Sequence, residues 1–271
     1  MRKPPQDIQI RSLAQFSEGE EWRVGLVHDR PYHVLIWITR GQGVMILDGE
    51  RRGVGAHNAI YVPAGTLFSL ELSRQSVGQV VILPQAIDVQ PPDMAELLRI
   101  RTVQAQGELT ALIESAGRED SAQRPFCNEA MEGYVRLILV WLRRQMAEDE
   151  HIPEKPKAAQ RLSRAFCAEV VTRFRTGDVM ANYAARLGVT PTHLTRATKA
   201  ATGKTAADLL TERVLHEARA LLVETTIPAQ QIAKHLGFGS AAYFTRFIQN
   251  NTGQTPSRLR KMASAQQTLG T

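Results

Sequence analysis

Apolar residues change their spacing twice along this 271-residue chain. Between His33 and Leu83 they come in short runs broken by turn residues. His33 to Thr39 is rich in β-branched and aromatic side chains and ends at Arg40-Gly41-Gln42-Gly43. Val44-Met45-Ile46-Leu47 runs into Asp48-Gly49, and Ala59-Ile60-Tyr61-Val62 leads into Pro63-Ala64-Gly65; Leu67 to Leu72 and Val77 to Leu83 follow. Asp-Gly between apolar runs is a two-residue hairpin signal, because both central positions must take positive φ. Short strands at this spacing predict an antiparallel barrel or sandwich. Within it His33, Leu35 and Trp37 alternate onto one strand face, and Tyr61 adds a polar tip, which makes His33, Trp37 and Tyr61 the candidate small-molecule contacts.

After residue 93 the period becomes helical. Met94, Leu97, Leu98 and Ile100 are expected to open one helix, which Leu109, Leu112, Ile113 and Ala116 extend past Gly107. Met131, Tyr134, Val135, Ile138, Trp141 and Leu142 form a second apolar stripe at helical spacing. Residues 151–158 hold two prolines and alternating charge, a linker composition. These patterns divide the chain into a sheet domain at 1–92, a helical segment at 93–150, a linker at 151–159, a helical domain at 160–263 and a tail at 264–271 expected to be disordered.

The helical domain contains a degenerate repeat. Ala184 to Leu187 maps onto Ala233 to Leu236 at an offset of 49. Leu194, Thr195, Arg196, Thr202, Gly203 and Thr205 then map onto Phe244, Thr245, Arg246, Thr252, Gly253 and Thr255 at an offset of 50. Each copy reads as a short helix ending in Leu-Gly, a turn, a Thr or Ser able to cap the next helix, and a second helix. That second helix presents Thr192, Thr195, Arg196 and Lys199 in copy one. In copy two it presents Ala241, Ala242, Thr245, Arg246 and Gln249. Leu194 and Ala197 face inward in the first; Phe244 and Phe247 are expected to pack on Ile232, Ala233 and Leu236 in the second. Leu210, Val214, Ala218, Leu221 and Leu222 between the copies predict one connecting helix of about 18 residues. A helix-turn-helix inserts its second helix into the major groove, where an Arg can hold O6 and N7 of a guanine together.

Charge follows the same division. Residues 158–271 carry 15 Lys/Arg against 6 Asp/Glu, a net of +9, whereas residues 1–157 carry 18 against 21, a net of −3. The positive field therefore belongs to the repeat domain and favours a polyanion there.

The pieces LGVTPTHLTRATKAATG, ERVLHEARALLVETTIPAQQIAKHLGF and SAAYFTRFIQNNTGQTPSRLRK resemble the AraC/XylS-type transcription regulators. The resemblance spans about residues 160–262 and implies two helix-turn-helix motifs joined by a linker helix, with both recognition helices in successive major grooves of double-stranded DNA. Carried over by position, it places base readers at Thr192, Thr195, Arg196, Ala241, Ala242, Thr245 and Arg246. Departures fall at Thr198, where the family usually has an aromatic, and at Gln249 and Asn250, where it usually has basic residues. Base discrimination is therefore expected to rest on the first copy and on Arg246. His33 to Leu72 resembles, more loosely, the cupin barrel that precedes the DNA-binding domain in many members. The resemblance implies an α+β multidomain protein: a homodimer joined through the 93–150 segment, a small-molecule effector at the barrel, and activation by contact with RNA polymerase.

Other chemistry is poorly supplied. A metal-binding cupin needs a His-x-His pair, a Glu and a later His; here His28 and His33 are too far apart, Trp37 stands where the Glu belongs and Phe68 where the last His belongs. No metal, cofactor or catalytic residue is expected, and the chain is not read as an enzyme, the alternatives being a metal-free cupin enzyme with an accessory helical domain or a protein-binding adaptor. The Met-Arg-Lys-Pro-Pro start has no apolar run behind it, no stretch approaches a bilayer span, and Cys127 and Cys167 lie in different domains. A cytoplasmic protein without a membrane partner is the expectation.

Overall fold

The computed structural model describes residues 7–85, 91–148 and 157–269. Residues 151–156 of the linker expected at 151–159 fall outside them, and 158–159 already belong to a helix. Contacts divide the chain into two compact units, one formed from Ala158 onward together with Leu26–His28, the other from the remaining residues up to Lys157.

The amino-terminal unit is built on two antiparallel sheets. One has the order β1 (Gln9–Ser12), β7 (Val77–Leu83), β2 (His33–Arg40), β5 (Asn58–Val62), β8 (Glu96–Arg99); the other has β4 (Glu50–Gly55), β3 (Gln42–Leu47), β6 (Phe68–Leu72). Two short helices, α1 (Leu13–Ser17) and α2 (Trp22–Gly25), lie between β1 and β2. The β3–β4 turn is the Asp-Gly hairpin, with φ of 48° at Asp48 and 77° at Gly49. The two sheets are hydrogen-bonded separately, so the expected barrel is an open sandwich rather than one closed ring. Val34, Ile36 and Ile38 of β2, with Ile60 and Val80, meet Met45, Phe68 and Leu70 of the opposite sheet in a filled interior.

The five-stranded sheet buries its other face as well. There Leu35, Trp37, Ala59, Tyr61, Val81 and Leu98 pack on α3 (Val103–Ala122) and α4 (Cys127–Ala147), through Leu109, Ile113, Val135, Ile138 and Leu142. A strand buried on both faces reads as a continuous apolar run, which is the composition of Val34 to Ile38.

Residues 96–99 correct the sequence reading. The segment expected to begin a helix at Met94 is strand β8, paired antiparallel with β5 from Asn58↔Arg99 to Tyr61↔Glu96. Leu97 and Leu98 serve opposite faces of the sheet, and the free edge of β5 supplies backbone partners that a local helical period does not register. The helix starts at Val103, where Thr102 accepts the Ala105 N–H.

The carboxyl-terminal unit is all helical: α5 (Ala158–Arg173), α6 (Met180–Arg186), α7 (Pro191–Thr202), α8 (Ala206–Glu224), α9 (Ala229–His235), α10 (Ala241–Thr252) and α11 (Pro256–Leu269). The connecting helix α8 opens with a reciprocal capping box between Thr205 and Asp208. Leu26–His28 belongs to this unit: the Val27 N–H donates to Glu212 at 3.2 Å, and the His28 ring stacks on His216 at 4.4 Å. The expected tail is also corrected, since α11 continues through Ser264 to Leu269. Met262, Ala263, Ala265 and two glutamines are good helix formers, and a polar composition alone does not end a helix.

Candidate nucleic-acid interface

The two repeats share one hydrogen-bond framework. In the first turn the Gly188 N–H donates to Ala185 O and the Val189 N–H to Ala184 O; in the second the Gly237 N–H donates to Lys234 O and the Phe238 N–H to Ala233 O. Gly188 and Gly237 sit at φ of 67° and 75°, the left-handed region that ends a helix at low cost only for glycine. Thr190 then caps α7 by accepting the His193 N–H, and Ser240 caps α10 by accepting the Tyr243 N–H. At the far ends, Thr202 Oγ1 donates to Thr198 O and accepts the Lys204 N–H, and Thr252 Oγ1 donates to Ile248 O and accepts the Gln254 N–H. Gly203 and Gly253 close the helices in the same conformation. Both candidate recognition helices have 12 residues, so equivalent residues emerge at equivalent places.

Thr192, Arg196 and Lys199 of α7 are exposed and Thr195 is half-buried; Ala241, Ala242 and Arg246 of α10 are exposed and Thr245 is half-buried. Their inward neighbours are Leu194 and Ala197 in one helix and Phe244 and Ile248 in the other. Ile248, rather than the half-buried Phe247, is the second buried anchor of α10. Phe247 instead joins Tyr243 and Phe244 around the Phe238 ring, with centroids 5.1–5.6 Å away.

The distribution of ion pairs decides where the positive charge is available. Glu169 holds Arg173 and Arg186, Asp178 also holds Arg186, Glu212 holds Lys204, and Glu217 holds Arg175 and Arg213. Burial alone would raise the Glu217 carboxyl, but the two guanidiniums outweigh it and keep it below its ordinary value. Arg213 is buried and committed to this pair. By contrast Arg196, Lys199, Lys234, Arg246, Arg258 and Lys261 are exposed and make no ion pair or side-chain hydrogen bond among the described residues. The printed ion pairs of the unit therefore all fall outside α7 and α10, and the cations of both candidate recognition helices, with Lys234 of α9 and Arg258 and Lys261 of α11, are left for an outside partner.

Two exposed residues escaped the sequence reading. His193 and Tyr243 lie three positions before Arg196 and Arg246, on the same exposed helix faces. Tyr243 also borders a 290 Å³ groove with Arg246, Phe247, Asn250 and Asn251. The available signal was the repeat itself: both occupy the same site 50 residues apart, and both combine a ring with a hydrogen-bonding tip.

The candidate effector residues come together, but on the helix-covered side of the large sheet. Leu35 pairs with Tyr61, and Trp37 with Ala59, across β2 and β5. His33 Nδ1 accepts from the Ala64 N–H at 3.2 Å and from the Tyr61 hydroxyl at 2.8 Å, so its proton sits on Nε2. Burial lowers the His33 pKa and, with Asp93 nearby, raises that of Tyr61, which favours the neutral form of each. The Trp37 Nε1–H donates to Thr110 Oγ1 of α3 at 3.0 Å. The Trp37 and Tyr61 polar atoms are bonded within the protein and their rings fill the layer between sheet and helices, whereas His33 is half-buried at the start of β2. Among the described residues no group of three or more His, Cys, Asp or Glu side chains could hold a metal ion, and no helix is long and apolar enough to cross a membrane.

Residues 183–262 match the family described as "Helix-turn-helix domain". A 78-residue stretch is 32% identical to the bifunctional transcriptional activator/DNA repair enzyme AdaA of Bacillus subtilis; it covers 29% of this chain and only 37% of that relative's length. Among solved structures, apo ToxT from Vibrio cholerae is similar over 97% of this chain and 100% of its own, at 12% identity and a TM-score of 0.45. The C-terminal domain of AraT, a response regulator from Geobacillus stearothermophilus, is similar over 40% of this chain and 88% of its own, at 25% identity and a TM-score of 0.36.

Proposed function

We propose that the carboxyl-terminal unit, whose residues 183–262 match a helix-turn-helix family, is a double helix-turn-helix domain of the AraC/XylS type, and that this chain is a sequence-specific, DNA-binding transcription regulator. One observation carries the reading: two equally capped helices of equal length each present an uncompensated Arg at the same position. Arg196 and Arg246 are the base-reading guanidiniums, assisted by Thr192, Thr195, Ala241, Ala242 and Thr245, with Lys199 on phosphate. Ala241 and Ala242 offer only methyl contacts, as to a thymine. The test is selection of bound sequences from a random DNA pool by the full-length chain, followed by footprinting. Two protected boxes in consecutive major grooves are expected, and enrichment of no sequence overturns the reading.

The regulator works as a homodimer joined through the 93–150 segment. Ala130, Gly133, Leu137 and Val140 follow one another at spacings of three and four along the outer side of α4, with Leu137 53% exposed and Phe126, just before the helix, 77% exposed. This is the spacing of a helix–helix seam, and Gly133 admits close approach because nothing lies within 4 Å of a Cβ placed there. Leu137→Glu should leave the fold intact and give a monomer at micromolar concentration in sedimentation; an unchanged dimer would remove the seam.

Activation through RNA polymerase is the favoured output, in keeping with the naming of the Bacillus subtilis relative as a transcriptional activator. A small-molecule effector acts through the amino-terminal domain. Because Trp37 and Tyr61 are packed under α3 and α4, an effector reaching them displaces part of that helix pair. Binding should then increase hydrogen exchange in Val103–Ala122, and unchanged exchange on saturation places the effector elsewhere.

A further inference from the structure

The turns of the two helix-turn-helix copies are alike in φ and unlike in surroundings. A Cβ placed on Gly188 meets nothing within 4 Å. A Cβ on Gly237 meets Gly177 N at 2.5 Å, Arg175 O at 2.7 Å and Thr176 C at 2.8 Å, and one on Gly177 meets Gly237 O at 2.5 Å. Both of these glycines also have φ near 75°. The turn of the second copy thus rests, backbone against backbone, on the loop between α5 and α6 that begins the first copy. Every obstructing atom belongs to main chain, so no side chain can move aside to admit a methyl group.

Beside this contact the same end of α5 is also tied to the connecting helix α8. The Arg175 and Arg213 guanidiniums lie 4.2 and 3.7 Å from the centroid of the buried Phe174 ring. Glu217 of α8 accepts from Arg175 at 2.8 Å and from Arg213 at 3.1 Å. The end of α5 is therefore fixed to the connecting helix within a few residues of where its loop meets Gly237.

Gly237 lies three residues before the Ser240 cap of α10, and Gly177 three residues before the start of α6. A displacement at this contact would move one recognition helix relative to the other. We propose that Gly177 and Gly237, reinforced by the Arg175–Glu217–Arg213 network, are positioning residues that set the separation and phase of the two recognition helices, and so determine the box spacing that the protein accepts. This rests on the DNA-binding reading above. A reader of two successive grooves needs its helices about one duplex turn apart, and a single base pair of insertion changes both distance and phase.

The experiment uses the full-length chain and the DNA it selects, with one and two base pairs inserted or deleted between the boxes. Gly188→Ala is the control, because it carries the same left-handed strain without the obstruction. Wild-type protein should bind the selected spacing at least tenfold better than either one-base-pair change, and Gly188→Ala should retain that ratio. Gly237→Ala should reduce the ratio to threefold or less, or move the optimum by one base pair. Glu217→Gln, which keeps the side-chain shape, should lower it by a smaller factor and serves as the deciding variant if Gly237→Ala does not fold. A folded Gly237→Ala or Glu217→Gln protein that loses affinity equally at every spacing overturns the clamp and leaves DNA binding intact. A wild-type chain that selects no DNA overturns both.

Discussion

In the first helix-turn-helix, Tyr183 and Thr198 occupy core positions held in the second by Ile232 and Ile248. All four side chains are buried, and neither Tyr183 Oη nor Thr198 Oγ1 has a hydrogen-bond partner among the described residues. The second copy instead closes on hydrocarbon and a cluster of three aromatic rings around Phe238. The polarity of the outer faces runs the same way: Thr192 and Lys199 in copy one stand opposite Ala242 and Gln249 in copy two. Equivalent caps and turns therefore hold a polar outer face over a compromised interior in the first copy and a more apolar face over a well-filled interior in the second. A shared backbone frame allows the two halves to divide the work of stability and recognition.

The largest test of that division is truncation of the two inward anchors, both fully buried. Phe244→Ala should cost about 3–5 kcal/mol and Leu194→Ala about 2–5 kcal/mol, with Phe244 the greater because its ring also supports Phe238. Urea unfolding of each variant measures this, and a larger loss at Leu194 would reverse the proposed ranking of the interiors.

Next come the two guanidiniums. Arg196→Ala should cost about 1–3 kcal/mol on the selected DNA and relax preference at one base pair. Arg246→Ala should do the same in the other box, and there the neighbouring methyl groups leave less discrimination behind. Binding to a set of single-base-pair substitutions separates the two; equal losses on selected and scrambled DNA would reduce either Arg to a phosphate contact.

Smaller effects should follow from the orphaned hydroxyls. Thr198→Val and Tyr183→Phe each remove a buried polar atom without changing shape, and each should raise stability by about 1 kcal/mol. Burial lifts the Tyr183 phenol from its ordinary pKa to about 12. Above pH 10 the unfolded chain ionises while the folded one retains its proton, so wild-type stability falls as pH rises through that window. The Tyr183→Phe advantage should therefore widen between pH 9 and pH 11 in thermal unfolding, whereas that of Thr198→Val should stay constant. A pH-independent Tyr183→Phe difference would show that the phenol reaches water.

Features encoded within a few residues were legible in the sequence. Asp48-Gly49, the Thr190 and Ser240 caps and the Leu-Gly helix ends at Gly188 and Gly237 each state their conformation locally, and each occurs as read. The misreadings involve partners distant in sequence. Leu97 and Leu98 follow a helical period yet join β5, because that strand lies 38 residues away and offers an open edge. Alternation placed His33 and Trp37 on one face, but only the packing of α3 and α4 reveals that this face is the covered one. Phe247 yields its expected core position to Ile248 and packs against the Phe238 ring instead. The approach of Gly177 to Gly237 leaves no periodic trace, since two glycines 60 residues apart interact through main-chain atoms alone.

The finest difference between the copies lies at Lys199 and Gln249, the same helix position 50 residues apart. Both side chains are exposed, and Lys199 is in the last turn of α7, where a cation also suits the helix dipole. A Lys that meets a phosphate releases about 0.9 of a counterion, so its contribution appears in the salt dependence and is equal for all sequences. Lys199→Ala should flatten the slope of log affinity against log salt by about one unit while leaving base preference unchanged. Gln249→Lys should steepen it by about one unit if the second helix approaches its backbone as closely as the first. Titrations at several salt concentrations decide between symmetry and its absence. A steeper slope for Gln249→Lys means that the copies dock alike and differ only in charge. An unchanged slope means that α10 stands farther from phosphate than α7, and then the apolar interior and the missing Lys reflect one cause, a second helix that holds its place mainly through the protein.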